Sequence, residues 1–204
     1  DIEKNLRAPI AGMGLEKAKS LLTVRDGNTF LDLIVRQVLT ARKETGAKLR
    51  FLLMNSFSTS EDTRAHLARY PELGDSATLE LLQNKVPKIT VDTLAPVEWP
   101  ADPDLEWCPP GHGDLYPAIL GSGMLDRLIK EGYLYLFVSN SDNLGATLDP
   151  ALLNWFASSD MPFLMEVTAR TGADRKGGHL AKRASDGQFL LRESAQCSDE
   201  DMGA

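Results

Sequence analysis

The sequence has few cysteines, no long apolar run and no excess of positive charge. Its two cysteines, Cys108 and Cys197, form neither a disulfide framework nor a zinc-binding spacing, and we expect a reducing, cytoplasmic location. The longest apolar runs, such as Leu134 to Val138, are far shorter than the ~20 residues of a membrane-spanning helix. No basic-then-apolar signal sequence opens the chain. We therefore expect no membrane partner.

The charge balance excludes a second class of partner. Lys and Arg total 22 against 29 Asp and Glu, for a net charge of -7. Such a chain is poorly suited to nonspecific nucleic-acid binding, so we expect no nucleic-acid partner. A phosphorylated small molecule stays possible, because a local pocket can be positive on an acidic protein. With 43% hydrophobic residues among 204, the chain can form a globular core.

Short apolar runs alternate along the chain with amphipathic segments. This alternation predicts an α/β fold with a mixed, mostly parallel sheet, and a late hairpin adds an antiparallel element. The predicted helices are 29–45, 60–69, 77–84, 117–131 and 150–157. The predicted strands are 49–54, 87–91, 133–138 and 163–168, and the hairpin joins 178–183 to 188–191 across Ser185-Asp186-Gly187.

Two of the predicted helices carry an apolar stripe. In the first, Thr29 and Asp32 can form a capping pair and Gly46 is a natural stop. Its predicted buried stripe is Phe30, Ile34, Val38 and Ala41. The predicted buried face of the helix from Pro117 is Leu120, Met124, Leu128 and Ile129.

Small polar residues follow the strand predicted at 133–138. In α/β sheets, ligands bind beyond the carboxyl ends of strands, and Ser139 to Asn143 lie at such an end. Asp142 could be a hard oxygen ligand for Mg²⁺ beside a phosphate. Alternatively, Asp142 or Ser141 caps the next helix. The residues alone leave both interpretations open.

Two glycine-rich segments are further candidates. Gly111 and Gly113 would let the backbone approach a ligand, with His112 available for a polar contact, although a tight turn with an exposed histidine is the simpler interpretation. Asp114 is expected to cap the helix near Pro117. Gly12 and Gly14, followed by Lys19, could cradle phosphates, but such a short pattern is weak by itself.

Six segments, in this order, resemble one family. They are Gly14-Leu15-Glu16-Lys17-Ala18-Lys19-Ser20-Leu21, Thr29-Phe30-Leu31-Asp32-Leu33, Leu53-Met54-Asn55-Ser56-Phe57, Pro109-Pro110-Gly111-His112-Gly113-Asp114, Phe137-Val138-Ser139-Asn140-Ser141-Asp142-Asn143-Leu144-Gly145-Ala146 and Met165-Glu166-Val167-Thr168. The chain resembles the eukaryotic-type UTP–glucose-1-phosphate uridylyltransferases over nearly its whole length. The resemblance implies a GT-A-like (Rossmann-like) nucleotidyltransferase domain. It also implies that UTP and glucose 1-phosphate are converted, with Mg²⁺ as cofactor, to UDP-glucose and pyrophosphate.

The resemblance also implies roles for individual residues. Lys19 and Asp142 are the catalytic pair, with Asp142 holding the metal. The implied nucleotide-binding residues are Gly12, Gly14, Lys19, Gln83 (which recognises uracil), Gly111, Asn140, Ser141 and Asp142. The implied substrate-binding residues are His112, Glu166, Lys176 and Gly177.

Two departures from the family pattern affect the domain assignment. The family's phosphate loop is longer than Ala8-Pro9-Ile10-Ala11 before Gly12, and the family continues past Ala204 with further strands and a C-terminal β-helix. We expect residues 1–204 to be the N-terminal part of the catalytic domain, with loop residues missing between 11 and 12 and without the β-helix. No oligomeric state is predicted.

Three other functions stay open at this point. A related enzyme could use another sugar 1-phosphate, as a UDP-sugar or UDP-N-acetylhexosamine pyrophosphorylase does. The chain could instead belong to a nucleotide-sugar-binding module that has lost catalysis. A plain scaffold domain would bind no nucleotide.

Overall fold

The fold is described from a computed structural model, for residues 18–169, 171, 178–193, 197 and 198. It divides into two compact units, Asp1–Pro150 and Ala151–Ala204. Each unit is described separately below.

The first unit opens with a short hairpin that leads directly into a helix. Strands β1 (Thr23–Arg25) and β2 (Asn28–Thr29) pair antiparallel, and helix α1 (Phe30–Thr45) follows. The predicted capping pair is confirmed, because the Thr29 hydroxyl accepts from the Asp32 N–H and the Asp32 carboxylate accepts from the Thr29 N–H. The helix ends at Gly46, as predicted.

The buried stripe of α1 differs from the prediction by one position. Leu31 and Val35 are fully buried, and Val38 and Leu39 pack beside them, whereas Phe30 and Ile34 are only half-buried. The deeply buried Asp32 accounts for this, because its partners lie on helix α2 (Ser60–Leu67) and beyond it, and hold that face of α1 inward.

A buried polar cluster joins α1 to α2. The Asp32 carboxylate accepts hydrogen bonds from Nε2 of His66 (2.7 Å), from the Tyr70 hydroxyl and from the Thr29 hydroxyl (2.9 Å). Burial opposes ionisation of Asp32, but the hydrogen bonds from Thr29, Tyr70 and His66 outweigh it and hold its pKa well below the usual range. Burial and the bond to Asp32 raise the pKa of Tyr70.

A parallel strand pair stands between two hydrophobic clusters. Strand β3 (Leu53–Asn55) pairs with β4 (Glu80–Leu82) in the register Leu53↔Glu80 and Asn55↔Leu82. One cluster contains Leu31, Val35, Leu67, Leu73 and Leu79, and the other contains Leu81, Ala118, Ile119, Met124 and Leu128. Residues 76–78 form a short 3-10 turn, and residues 80–82 form strand β4. The helix predicted for residues 77–84 is therefore wrong.

The expected mostly parallel sheet is not found among the described residues, where β3–β4 is the one parallel pair and the other pairs are antiparallel. Strand β5 (Val86–Pro87) overlaps the predicted strand 87–91 at Pro87 and pairs antiparallel with β6 (Trp107–Cys108).

The helix predicted from Pro117 to Glu131 is two helices. They are α3 (Leu115–Gly121) and α4 (Met124–Lys130). Gly123 lies between them at a φ of 70°, a left-handed conformation that interrupts the helix and that glycine adopts without strain. Because of the break, Leu120 and Ile129 are exposed and Ala118 and Ile119 are buried instead, while Met124 and Leu128 are buried as predicted.

The segments predicted as strands at 133–138 and 163–168 lie in no strand of the described chain. Side chains from Leu134 to Val138 are 47–84% exposed. A strand needs hydrogen bonds to a neighbour, and β propensity alone does not supply that neighbour.

The second unit contains one helix and one hairpin among its described residues. Helix α5 (Pro150–Ala157) begins at the predicted proline, and its remaining residues lie in this unit. Strands β7 (Gly178–Lys182) and β8 (Phe189–Glu193) pair antiparallel, so the predicted hairpin is confirmed. Asp186 stabilises the turn by accepting from Arg183 (2.9 Å) and from the Gln188 N–H (3.1 Å).

Candidate functional site

The site begins where the parallel strands β3 and β4 end. Gln83 directly follows β4, and its N–H donates to the Asn55 carbonyl at the end of β3 (2.9 Å). Its side-chain Oε1 is buried and has no hydrogen-bond partner among the described residues. A buried carboxamide oxygen that lacks a partner is unfavourable unless a ligand donates to it.

Lys85 lies two residues further, between two aromatic rings. Its ammonium is 4.6 Å from the ring centroid of Trp107 and 5.8 Å from that of Phe57. These distances fit cation–π contacts. Lys85 therefore joins the loops that follow β3 and β4 to strand β6.

The loop after β6 contains Gly111, His112 and Asp114. Gly111 has a φ of 109°, which a residue with a side chain adopts only with strain. Asp114 occupies the cap position before α3 but makes no side-chain cap bond, so the predicted cap is wrong. Its buried carboxylate instead accepts from the Asn84 N–H (2.6 Å) and from Asn84 Nδ2 (2.9 Å). This contact joins the Gln83 turn to the Gly111 loop.

Lys19 and Asp142 are in direct contact although they are 123 positions apart in the sequence. Nζ of Lys19 donates to Oδ2 of Asp142, in a partly exposed ion pair. The hydrogen bond from Lys19 lowers the pKa of Asp142; burial opposes this with a smaller effect, and the charges of Lys19 and His112 add to the lowering. The carboxylate is therefore ionised at neutral pH.

The segment around Asp142 is held in place by its neighbours. The Asn143 N–H donates to the Asn140 carbonyl (3.1 Å), and Gln37 of α1 donates to the Leu144 carbonyl (3.0 Å). Within the described residues, no helix starts here before α5 at Pro150. The alternative that Asp142 or Ser141 caps a following helix is therefore wrong, and the carboxylate faces Lys19.

The structure thus brings several predicted site residues together and leaves others apart. Lys19 and Asp142 are in contact, His112 acts on Asp142 through its charge, and Gln83 is joined to the Gly111 loop through Asn84. Glu166 is exposed in the second unit. Asn140 and Ser141 directly precede Asp142 in the chain, whereas Gly12, Gly14, Lys176 and Gly177 lie outside the described residues.

The sequence analysis missed the roles of Asn84, Lys85 and the Asp114 carboxylate. Asn84 and Lys85 adjoin Gln83, and Asp114 closes the Gly-His-Gly motif, so proximity to the motifs was the available signal. Their partners are 22 or more positions away in sequence, and no local pattern indicates such contacts.

The chemistry of Asp142 fits Mg²⁺. The described part of the chain has no group of three His, Cys, Asp or Glu residues that could enclose a metal. Mg²⁺, however, is commonly held by one or two carboxylates together with water and substrate phosphates. A single ionised carboxylate meets that requirement.

Comparison with known proteins identifies the family. The model of the UTP–glucose-1-phosphate uridylyltransferase family matches residues 11–204. The chain belongs to this family. It is 43% identical over 189 residues to the UTP–glucose-1-phosphate uridylyltransferase of Saccharomyces cerevisiae, covering 92% of this chain and 37% of that protein.

Solved structures agree with this membership. The UDP-glucose phosphorylase of Trypanosoma brucei is similar with a TM-score of 0.87 and 50% identity, covering 94% of this chain and 42% of that one. A point mutant of the Leishmania major UDP-glucose pyrophosphorylase in complex with UDP-glucose has a TM-score of 0.84 and 51% identity, covering 94% and 43%. The chain therefore has the mixed α/β fold of this family and spans about two fifths of the length of these relatives. No helix among the described residues is long and apolar enough to cross a membrane.

Proposed function

We propose that the protein is a nucleotidyltransferase that forms UDP-glucose and pyrophosphate from UTP and glucose 1-phosphate. The contact between Lys19 and Asp142 carries this proposal, because it joins a cation and an ionised carboxylate from distant segments at one point. The activity for which the relatives are named and the Leishmania major complex with UDP-glucose support it. Residues 1–204 would then be the N-terminal part of a GT-A-like catalytic domain, and the two cysteines favour a cytoplasmic location.

The reaction needs positioning more than acid–base chemistry. A phosphate oxygen of glucose 1-phosphate attacks the α-phosphorus of UTP in line, a new P–O bond forms, and the bond to the β-phosphate breaks with its electrons leaving on pyrophosphate. The phosphate dianion is already nucleophilic, so no side chain has to remove a proton. The protein has to hold two anions together and offset their repulsion.

Among the described residues, Lys19 is suited to that task. Its side chain is half-exposed and its ammonium is held by the Asp142 carboxylate, so phosphates entering the site would meet a cation already in position. Asp142 would hold Mg²⁺, which when bound neutralises phosphate charge. His112, whose charge lowers the pKa of Asp142, would contact substrate at the same place.

Uracil recognition is assigned to Gln83. The N3–H of uracil would donate to the buried Oε1 that lacks a partner among the described residues, while the Gln83 amide donates to O4. Gly111, Asn140 and Ser141 would contact the nucleotide, together with Gly12 and Gly14. Glu166, Lys176 and Gly177 would contact the sugar.

Pyrophosphate release by the full-length protein tests the proposal. We expect turnover with UTP, Mg²⁺ and glucose 1-phosphate, and much less with CTP or with galactose and N-acetylglucosamine 1-phosphates. Faster turnover with another sugar would favour the related pyrophosphorylases. Binding of UDP-glucose without turnover would favour a non-catalytic module, and no binding would favour a scaffold.

A further inference from the structure

The peptide groups on both sides of Gln83 are anchored, one to the end of β3 and the other to the Gly111 loop. The N–H of Gln83 donates to the Asn55 carbonyl (2.9 Å), and the next N–H, that of Asn84, donates to the Asp114 carboxylate (2.6 Å). The backbone of Gln83 is thus fixed on both sides. Its side-chain Oε1 is the group left without a partner among the described residues.

Asp114 makes this anchor strong and directional. Its carboxylate is buried, with 9% of the residue exposed, and both of its oxygens accept from Asn84, Oδ1 at 2.9 Å and Oδ2 at 2.6 and 3.2 Å. Hydrogen bonds to an ionised acceptor are shorter and roughly twice as strong as neutral ones. The Asp114 N–H in turn donates to the Gly111 carbonyl (3.1 Å), so one residue binds both loops.

We propose that Asp114 is a positioning residue for uracil recognition, which rests on the proposed function. By fixing Asn84, its carboxylate sets the direction of the Gln83 carboxamide and its distance from the Gly111 loop. Uracil bound between these loops would form its hydrogen bonds to the Gln83 carboxamide only in that geometry. Asp114 itself would touch neither the substrate nor the reacting atoms.

A purely structural role for Asp114 predicts a different outcome. Loss of a structural contact lowers stability and affects both substrates alike. Loss of a positioning contact changes the use of UTP selectively, because glucose 1-phosphate does not bind at Gln83.

The test uses steady-state kinetics of the full-length protein with three variants and a control. In Asp114→Asn, the negative charge is lost and one of the two oxygens that accept from Asn84 becomes a donor, so the two-oxygen contact is weakened. In Asn84→Asp, two carboxylates oppose each other. The double variant exchanges the groups and restores a donor opposite an acceptor, while the backbone N–H of residue 84 keeps its acceptor. Asp126→Asn, on the exposed side of α4, is the matched control.

We expect each single variant to raise the KM for UTP at least about tenfold, by analogy with the loss of residues that orient metal ligands, which typically costs about 10–100-fold. The KM for glucose 1-phosphate should stay within about twofold, the UTP/CTP ratio of kcat/KM should fall, and the double variant should recover most of the loss. Asp126→Asn should match the wild type.

Three results would overturn this inference without affecting the proposed function. They are an unchanged UTP/CTP ratio of kcat/KM in the single variants, an equal rise of both KM values, and a double variant no better than the single ones.

If circular dichroism shows that Asp114→Asn is unfolded, Asn84→Ala provides the test instead. This variant keeps the hydrogen bond from the backbone N–H of residue 84 and removes only the hydrogen bonds from Nδ2. The KM for UTP should then rise about threefold, and a normal value would overturn the inference. A wild-type protein that does not turn over UTP would overturn the proposed function as well.

Discussion

Replacing Lys19 with methionine should separate activity from stability. The Lys19 side chain is 51% exposed and that of its partner Asp142 is 31% exposed. An ion pair this accessible to water contributes only about 0–1 kcal/mol to folding, which in a chain of this size corresponds to a melting temperature lower by at most about 2–4 °C. Methionine keeps most of the length of the side chain and removes the charge.

The same substitution should greatly reduce catalysis. Charge moves to the leaving pyrophosphate as the α-phosphorus transfers, so a fixed cation helps most in the transition state. We expect a loss of at least ~100-fold in kcat/KM, which corresponds to about 2.7 kcal/mol. The assay is coupled pyrophosphate release at saturating Mg²⁺, with the thermal melt of each variant measured in parallel.

Lys130→Met provides the control for charge. Lys130 is the exposed last residue of α4, and its replacement should change neither activity nor melting temperature appreciably. Equal losses at both positions, or unchanged activity in Lys19→Met, would refute the role assigned to Lys19.

Three further predictions concern other residues. Asp142→Asn should keep its melting temperature but lose roughly a thousandfold in kcat, and near-normal turnover would show that another residue holds the metal. Gln83→Ala should lower the UTP/CTP ratio of kcat/KM, and an unchanged ratio would exclude Gln83 as the reader of the base. Asp32→Ala should cost about 3–5 kcal/mol of unfolding free energy in a urea titration at pH 7, because buried donors lose their acceptor. In the folded state, the pKa of Asp32 lies below its ordinary value of 3.8. The stability that the Asp32 carboxylate contributes is therefore complete above about pH 4 and is lost as pH falls further. A stability difference that does not shrink in acid would contradict this.

Local signals predicted the elements whose causes are local. Helix α1 follows from the Thr29–Asp32 pair and the stop at Gly46, and the β7–β8 hairpin follows from its turn residues. In each case, the residues that determine the element are a few positions apart. The exact buried face of α1 depends on contacts to α2 and was displaced by one residue.

Elements that depend on distant contacts were predicted less well. Segments 133–138 and 163–168 have strand composition but lie in no strand of the described chain. The prediction places Leu79 and Leu81 in a helix. The clusters against which they pack come from distant parts of the chain, and the local sequence does not reveal them. Propensity is a local quantity and does not specify such partners.

The candidate site shows the same division. From the residues alone, Asp142 could be a metal ligand or a helix cap. Its contact with Lys19 is visible only in the structure. Asp114 was read as a cap because it precedes a helix, whereas its partner Asn84 lies 30 positions earlier. The sequence motifs lie in these loops, but they do not show how the loops are joined.

The most direct test of the account is a crystal structure of the full-length protein with bound UDP-glucose. We predict that the uracil contacts the carboxamide of Gln83 beside Gly111, and that the phosphates lie at Lys19 and Asp142. A nucleotide bound elsewhere, with Gln83 and Lys19 both out of contact, would contradict the proposal that these loops form one nucleotide site.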